Sequence, residues 1–204
     1  MNQTYKQFSP ACERNREPIL QQLITLFKDT KTVLEIGSGT GQHAVFFAQH
    51  LPHVKWHPSD RMQNHPSILA WREEACLSNL KQPISLDVDI SEQWELPRFD
   101  AVFTANTCHI MSWETVKTMF AGISRILEPQ GLLVIYGPFN YQGQFTSASN
   151  QAFHASLQDQ AIHMGIRDIE DMLSLATLHN LEKVNDIDMP ANNRLLVFQK
   201  TTEA

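Results

Sequence analysis

Residues 32–44 read TVLEIGSGTGQHA, and no other stretch limits the fold as much. Val33, Leu34 and Ile36 form a short apolar run of branched residues, suited to a strand buried in a parallel sheet. Gly37, Gly39 and Gly41 follow at alternate positions. A turn that rich in glycine lets backbone approach a ligand in conformations that side chains forbid. From Gln42 to Leu51 the pattern is helical, and the start of that helix aims unpaired N–H groups at whatever rests on the turn. A dinucleotide turn, G-x-G-x-x-G, needs glycine where Gln42 stands. Here the spacing is G-x-G-x-G, with Glu35 two residues ahead.

Strand and helix patterns then alternate along the chain. Strands are expected at 54–57, 84–86, 99–105 and 132–136, and helices at 66–80, 113–127 and 151–164, with a further helix capped by Asp168. Ahead of the glycine turn, 1–16 reads as an arm, and Pro18 opens a helix burying Ile19, Leu20, Leu23, Ile24 and Phe27. Residues 137–149 read as a long polar loop, a lid or a substrate wall. At the end, 182–188 and 194–199 are strand-like and joined by a short turn, so they should be antiparallel neighbours. The fold class expected is therefore α/β, Rossmann-like: a seven-stranded, mostly parallel sheet with a terminal antiparallel hairpin and helices on both faces.

With 204 residues, residues 1–204 fit a single domain. The net charge of -6 and the lack of a basic stripe disfavour a nucleic-acid partner. Cys12, Cys76 and Cys108 are scattered and odd in number, which reads as reduced thiols in a cytoplasmic protein. No apolar run is long enough to span a membrane, and the N-terminus lacks the basic and apolar regions of a secretory leader. His50, His53 and His57 lack the companions of a metal site, so no metal is expected. Oligomeric state is left open.

Glu35 to Gly41, E-x-G-x-G-x-G, resembles the first motif of class I S-adenosylmethionine-dependent methyltransferases. RILEPQGLLVIYGP, residues 125–138, resembles the turn and fifth strand of the same enzymes. More narrowly, ERNREPIL (13–20), LEIGSGTGQHA (34–44), W-x-P-S-D (56–60), LDV (86–88), YGPF (136–139), GIRD (165–168) and DMPANN (188–193) resemble the methyltransferase-like family called domain of unknown function 938. The likeness covers nearly the whole chain and implies methyl transfer from S-adenosyl-L-methionine. The alternative is a catalytically silent member that keeps the fold and serves as a binding or scaffold protein. An NAD-dependent oxidoreductase is disfavoured by Gln42 and by the hairpin.

Within that frame the cofactor-binding candidates are Glu35, Gly37, Ser38, Gly39 and Gly41 on the turn, with Arg14 and Asn15 from the arm. Asp60, about twenty residues past the glycines, can accept both ribose hydroxyls or else cap a turn. Asp87 can accept the adenine amine, with Asp89 close behind it, or either can cap a loop. Asn106 and His109, after the fourth strand, are the catalytic candidates: His109 as base or as a structural residue, Asn106 as an orienting amide that also touches the cofactor. Cys108 has no catalytic companion. The A-N-T-C-H run differs from the N-P-P-Y motif of nucleic-acid amine methyltransferases, which favours a small-molecule or protein acceptor, a small molecule foremost. Tyr136, Phe139 and Tyr141 either wall the substrate side or pack in the core.

Overall fold

The strand–turn–helix unit at 32–50 lies at the centre of a seven-stranded sheet. In the computed structural model, which describes residues 6–202, the spatial strand order is β3-β2-β1-β4-β5-β9-β8. These strands are β1 (Thr32–Ile36), β2 (Lys55–Asp60), β3 (Ile84–Ser85), β4 (Phe99–Ala105), β5 (Leu127–Gly137), β8 (Leu181–Met189) and β9 (Asn193–Lys200). The pairs β1–β2, β2–β3, β1–β4 and β4–β5 are parallel. β9 runs antiparallel between β5 and β8, so the expected closing hairpin is present. The chain reverses its direction of travel between β1 and β4. At such a switch point the loops leaving the two strands part and open a crevice.

Alternation along each strand sorts side chains to two faces. Val33, Ala101, Phe103 and Val134 face one apolar cluster, covered by α1 (Pro10–Leu26) and α2 (Gln42–His50). Leu34, Val102, Leu133 and Ile135 face the other, covered by α4 (Trp113–Ile126) and α6 (Ile169–Leu178). α4 presents Val116, Met119, Phe120 and Ile123 to the sheet, and the Ser112 hydroxyl caps its start by accepting the Thr115 N–H at 3.0 Å. α3 (His65–Ala75) and α5 (Ala148–Gln160) complete the helices.

Several boundaries differ from the sequence expectation. α1 begins at Pro10, with Pro18 in its interior, so residues 10–16 are helical and not an arm. Ser9 supplies an N-cap at 3.4 Å and Pro10 occupies the first turn, where its missing N–H costs nothing. α3 stops at Ala75 because Cys76 turns left-handed, which frees Leu80 to bridge Trp56. β5 starts at Leu127, bulging where Phe99 and Ala101 are its partners. The loop at 137–149 contains β6 (Phe139–Asn140), which pairs in parallel with β7 (Arg167–Asp168), and α5 runs from Ala148 to Gln160 instead of 151–164. Asp168 holds the N-cap position of α6 without making a side-chain cap bond.

Candidate functional site

The turn after β1 is shaped by its own backbone. Gly37 and Gly41 have φ of +72° and +93°; a Cβ at Gly37 would lie 2.7 Å from Thr107 Cγ2, and one at Gly41 2.8 Å from Ile68 Cα. Neither place admits a side chain. The N–H groups of Gly37 and Ser38 both donate to Ser59 O at 3.0 Å, tying the turn to the end of β2. At the next residue of β2, Asp60 Oδ2 accepts the Gly39 N–H at 2.7 Å, while its Oδ1 accepts from Arg61 N and Asn64 Nδ2. A Cβ on Gly39 would meet nothing within 4 Å, so this glycine looks onto open space.

That space is a cavity of about 1340 Å³ across the carboxyl ends of β1, β2, β4 and β5. Ligand pockets for drug-sized molecules run to roughly 300–1,000 Å³, so this one has room for two partners side by side. Gly37, Ser38, Gly39, Asp60, Asp87, Asn106, His109 and Tyr136 line it, and α1 contributes Arg14 and Asn15. The structure thus brings ten of the sequence candidates to one space.

Four candidates stand elsewhere. Glu35 shares the face of Val33, so its carboxylate points to Trp56, accepts the indole N–H at 2.9 Å and is only 2% exposed. Burial pushes its pKa up to about 7, with the Trp56 and Ser38 hydrogen bonds opposing. Gly41 packs against α3 beneath the turn. Of the expected substrate wall only Tyr136 faces the cavity. Phe139, 1% exposed, is core, because β6 lies against the α4–α6 cluster. Tyr141 is drawn away by Asp186, whose carboxylate accepts its hydroxyl at 2.9 Å. That contact, after desolvation, raises the phenol to about 12.

α1 is fastened over the glycine turn through Gln42. Gln42 Oε1 accepts the Ser9 N–H at 2.5 Å, and its amide donates to Glu13 Oε1 at 2.9 Å. Asn15 is buried and bonded through Oδ1 to His43 Nε2 at 2.7 Å; Tyr136 also hydrogen-bonds to Asn15. His43, stacked on Phe47, is held near pKa 4 chiefly by burial and is neutral. Arg14 is exposed and makes no ion pair among the described residues. In this stretch Arg14 and Asn15 therefore roof the cavity, and Glu13 latches the helix to Gln42.

On the far side, Asn106 adopts φ +59°, a left-handed conformation that asparagine tolerates, and donates its backbone N–H to Tyr136 O at 2.8 Å. His109 is 6% exposed, with its ring edge-on to Phe153 at 5.3 Å. Neither ring nitrogen has a hydrogen-bond partner among the described residues. Burial, and then the nearby Arg167 cation, lowers its pKa to about 4, so it is an unprotonated acceptor at neutral pH. Arg167 itself donates to the carbonyls of Cys108, Met111 and His163, which pins the β4–α4 loop against the segment after α5. Buried Cys108 has its thiol pushed up to about 11 by desolvation, out of the nucleophilic range.

Sequence reasoning missed His43, Phe153, the Gln42 latch and Arg167. His43 carried a signal, a polar residue directly ahead of the apolar run in α2; Phe153 lies outside the motifs, Arg167 lies in the GIRD motif without marking a site role, and both reach the site only through the fold. Among the described residues no group of three His, Cys, Asp or Glu is placed to hold a metal, and no helix is long and apolar enough to cross a membrane. His50 and His53 are each bonded to a backbone carbonyl, of Phe46 and Phe27.

This sheet order, with its glycine turn and closing hairpin, is a class I methyltransferase-like fold, and solved structures share it. S-adenosylmethionine-dependent methyltransferase SibL, in its apo form, matches with a TM-score of 0.79 over 94% of this chain and 56% of that one, at 19% identity. An O-methyltransferase family 2 protein from Planctomyces limnophilus, in complex with apigenin, gives 0.80 over 94% and 58%, at 14% identity. PigF with S-adenosylhomocysteine gives 0.75 over 90% and 55%, at 15% identity. The chain spans little more than half the length of each. Its own family model covers residues 6–200, so the chain belongs to the family described as protein of unknown function, DUF938.

Proposed function

We propose that this protein is an S-adenosylmethionine-dependent methyltransferase acting on a small molecule. The observation that carries the reading is the pairing, in one cavity, of an Asp60-braced glycine turn with the Asn106–His109 loop across from it. The residues present fit the cofactor: Gly39 faces open space, Asp60 and Asp87 are acceptors at the carboxyl edge, and Arg14 is a cation with no ion-pair partner among the described residues. The fold likeness to methyltransferases, one with S-adenosylhomocysteine, supports the same choice.

When bound, S-adenosylmethionine supplies an electrophilic methyl group together with its own leaving group. The glycine turn would hold the cofactor through its backbone, and Asp60 would offer its remaining acceptor capacity to the ribose. Asp87 would accept the adenine amine, and Arg14 would pair with the methionyl carboxylate. Asn15 roofs the site and fixes its Tyr136 side. Asn106 orients the acceptor through its amide, and His109, neutral and desolvated, takes the acceptor's proton. With S-adenosylmethionine bound, α1 and the α5 segment would border the reacting atoms and limit their contact with water.

Calorimetry with S-adenosylmethionine, S-adenosylhomocysteine and NAD tests cofactor choice: the first two should bind and NAD should not. A mass-spectrometric screen of metabolite extracts should then show a donor-dependent gain of one methyl group. Cofactor binding with no labelled product, and a stable protein partner in its place, would make the chain a scaffold.

A further inference from the structure

The two halves of the cavity differ in charge. Toward β2 and β3 stand Asp60, Arg61, Asp87 and Asp89. The opposite wall is built from residues 109–111, Tyr136, Pro138, α5, His163 and the β8–β9 turn, and among the described residues it contributes no Lys, Arg, Asp or Glu. Its surface is mainly apolar, from Met111, Pro138, Phe153, Pro190 and Ala191. Its amides are occupied within the wall. Asn150 Nδ2 donates to Thr146 Oγ1 and Asn192 O, and Asn193 Nδ2 to Pro190 O and Ala191 O. The His109 imidazole is buried, stands edge-on to Phe153 and makes no hydrogen bond among the described residues. Apolar side chains continue outward from this half: Ile110, Phe153 and Ile162 are 45%, 40% and 84% exposed. Large apolar groups left in water at the mouth of a cavity mark a place where apolar ligands arrive.

We propose that this charge-free half binds an uncharged aromatic ring bearing a hydroxyl, with the ring against Phe153 and Met111 and the oxygen at His109, and that this oxygen is the atom methylated. The proposal rests on the methyl-transfer reading above. A carboxylate or ammonium on the acceptor would lose its hydration here and find no opposite charge on the wall, a penalty that a neutral ring avoids. The bookkeeping of the step is simple: the hydroxyl oxygen bonds to the methyl carbon as the carbon–sulfur bond breaks, and that electron pair goes to sulfur. The hydroxyl proton passes to His109 and then to solvent. An imidazole kept weakly basic by burial and by Arg167 suits an aromatic hydroxyl, which gives up its proton more readily than an alkyl alcohol.

The test uses full-length protein saturated with S-adenosylhomocysteine, titrated by calorimetry with p-ethylphenol, p-hydroxyphenylpropionate and tyramine, which share a ring and differ in charge. The neutral phenol should bind about tenfold more tightly than either charged ring. Phe153→Lys, at a partly exposed position, should weaken p-ethylphenol and strengthen the carboxylate, each about tenfold, with the affinity for S-adenosylhomocysteine unchanged. With S-adenosylmethionine present, mass spectrometry should find the methyl ether of p-ethylphenol, and His109→Gln should slow its formation about 10²- to 10⁴-fold. Equal binding of the three rings, preference for a charged one, or binding of none by the loaded protein would overturn the proposal. Failure of S-adenosylhomocysteine itself to bind, read in the prior titration, would instead overturn the methyl-transfer reading.

Discussion

Gly39 and Asp60 are joined by a 2.7 Å hydrogen bond, backbone N–H to carboxylate, across the gap between β1 and β2. A side chain at the end of one strand thereby fixes the left-handed turn leaving its neighbour. The same carboxylate lines the cavity, so turn shape and ligand contact rest on one group.

Replacing Asp60 with Ala should remove its contacts to Gly39, Arg61 and Asn64 together with the ribose hydrogen bond that its remaining lone pair can accept. A loss of about 2–4 kcal/mol in S-adenosylmethionine binding is expected, read by calorimetry. Unchanged affinity would mean that no ribose meets Asp60.

His109→Gln should leave the cofactor dissociation constant nearly unaltered and lower turnover about 10²- to 10⁴-fold. Because the free imidazole has a pKa near 4, the wild-type rate should stay flat on the acid side down to about pH 5. Arg167→Gln removes a cation that disfavours the imidazolium, so the acid limb should move to higher pH. A limb that stays in place would detach Arg167 from the histidine.

Glu35 and the two buried histidines should tilt stability in opposite directions. Glu35 is raised to about 7 from 4.5 in the folded chain, so the stability due to its protonated form is lost as pH rises between those values. His43 and His109 are lowered to about 4 from 6.5, so their contribution is lost as pH falls across that window. Glu35→Gln keeps an acceptor for Trp56 and removes the first slope. Relative to wild type, the variant should gain on the order of 3 kcal/mol between pH 4 and pH 8, measured by urea denaturation at each pH.

Gln42→Ala should loosen α1 from the glycine turn. Ser9 N–H loses its partner and Glu13 keeps only Arg16, which costs about 1–3 kcal/mol, and amide exchange should quicken in residues 9–15 before it does in β1. Exchange that is uniform across the chain would show that the latch holds nothing locally.

The order of elements was legible because each carries its own period: branched runs for β1 and β4, one apolar face for α4, and a short turn between β8 and β9. Helix α1 was misread since Pro18 argues for a helix start, whereas the Ser9 cap and the Gln42 latch extend the helix through it. The two-residue strands β6 and β7 are too short for any period to show, and they exist by pairing across the fold.

By itself the sequence determined the glycine turn, because three glycines at alternate positions after a branched strand have few conformations in common with anything else. It also set the sheet's parallel core and its antiparallel close. Tertiary structure alone decided which side chains share the cavity. Glu35 is turned to Trp56 by strand alternation, Tyr141 is captured by Asp186, and Phe153 and Arg167 are carried to His109 by β6–β7 and α5. Such meetings depend on distances between residues far apart in the chain, and no local pattern of residue types encodes them.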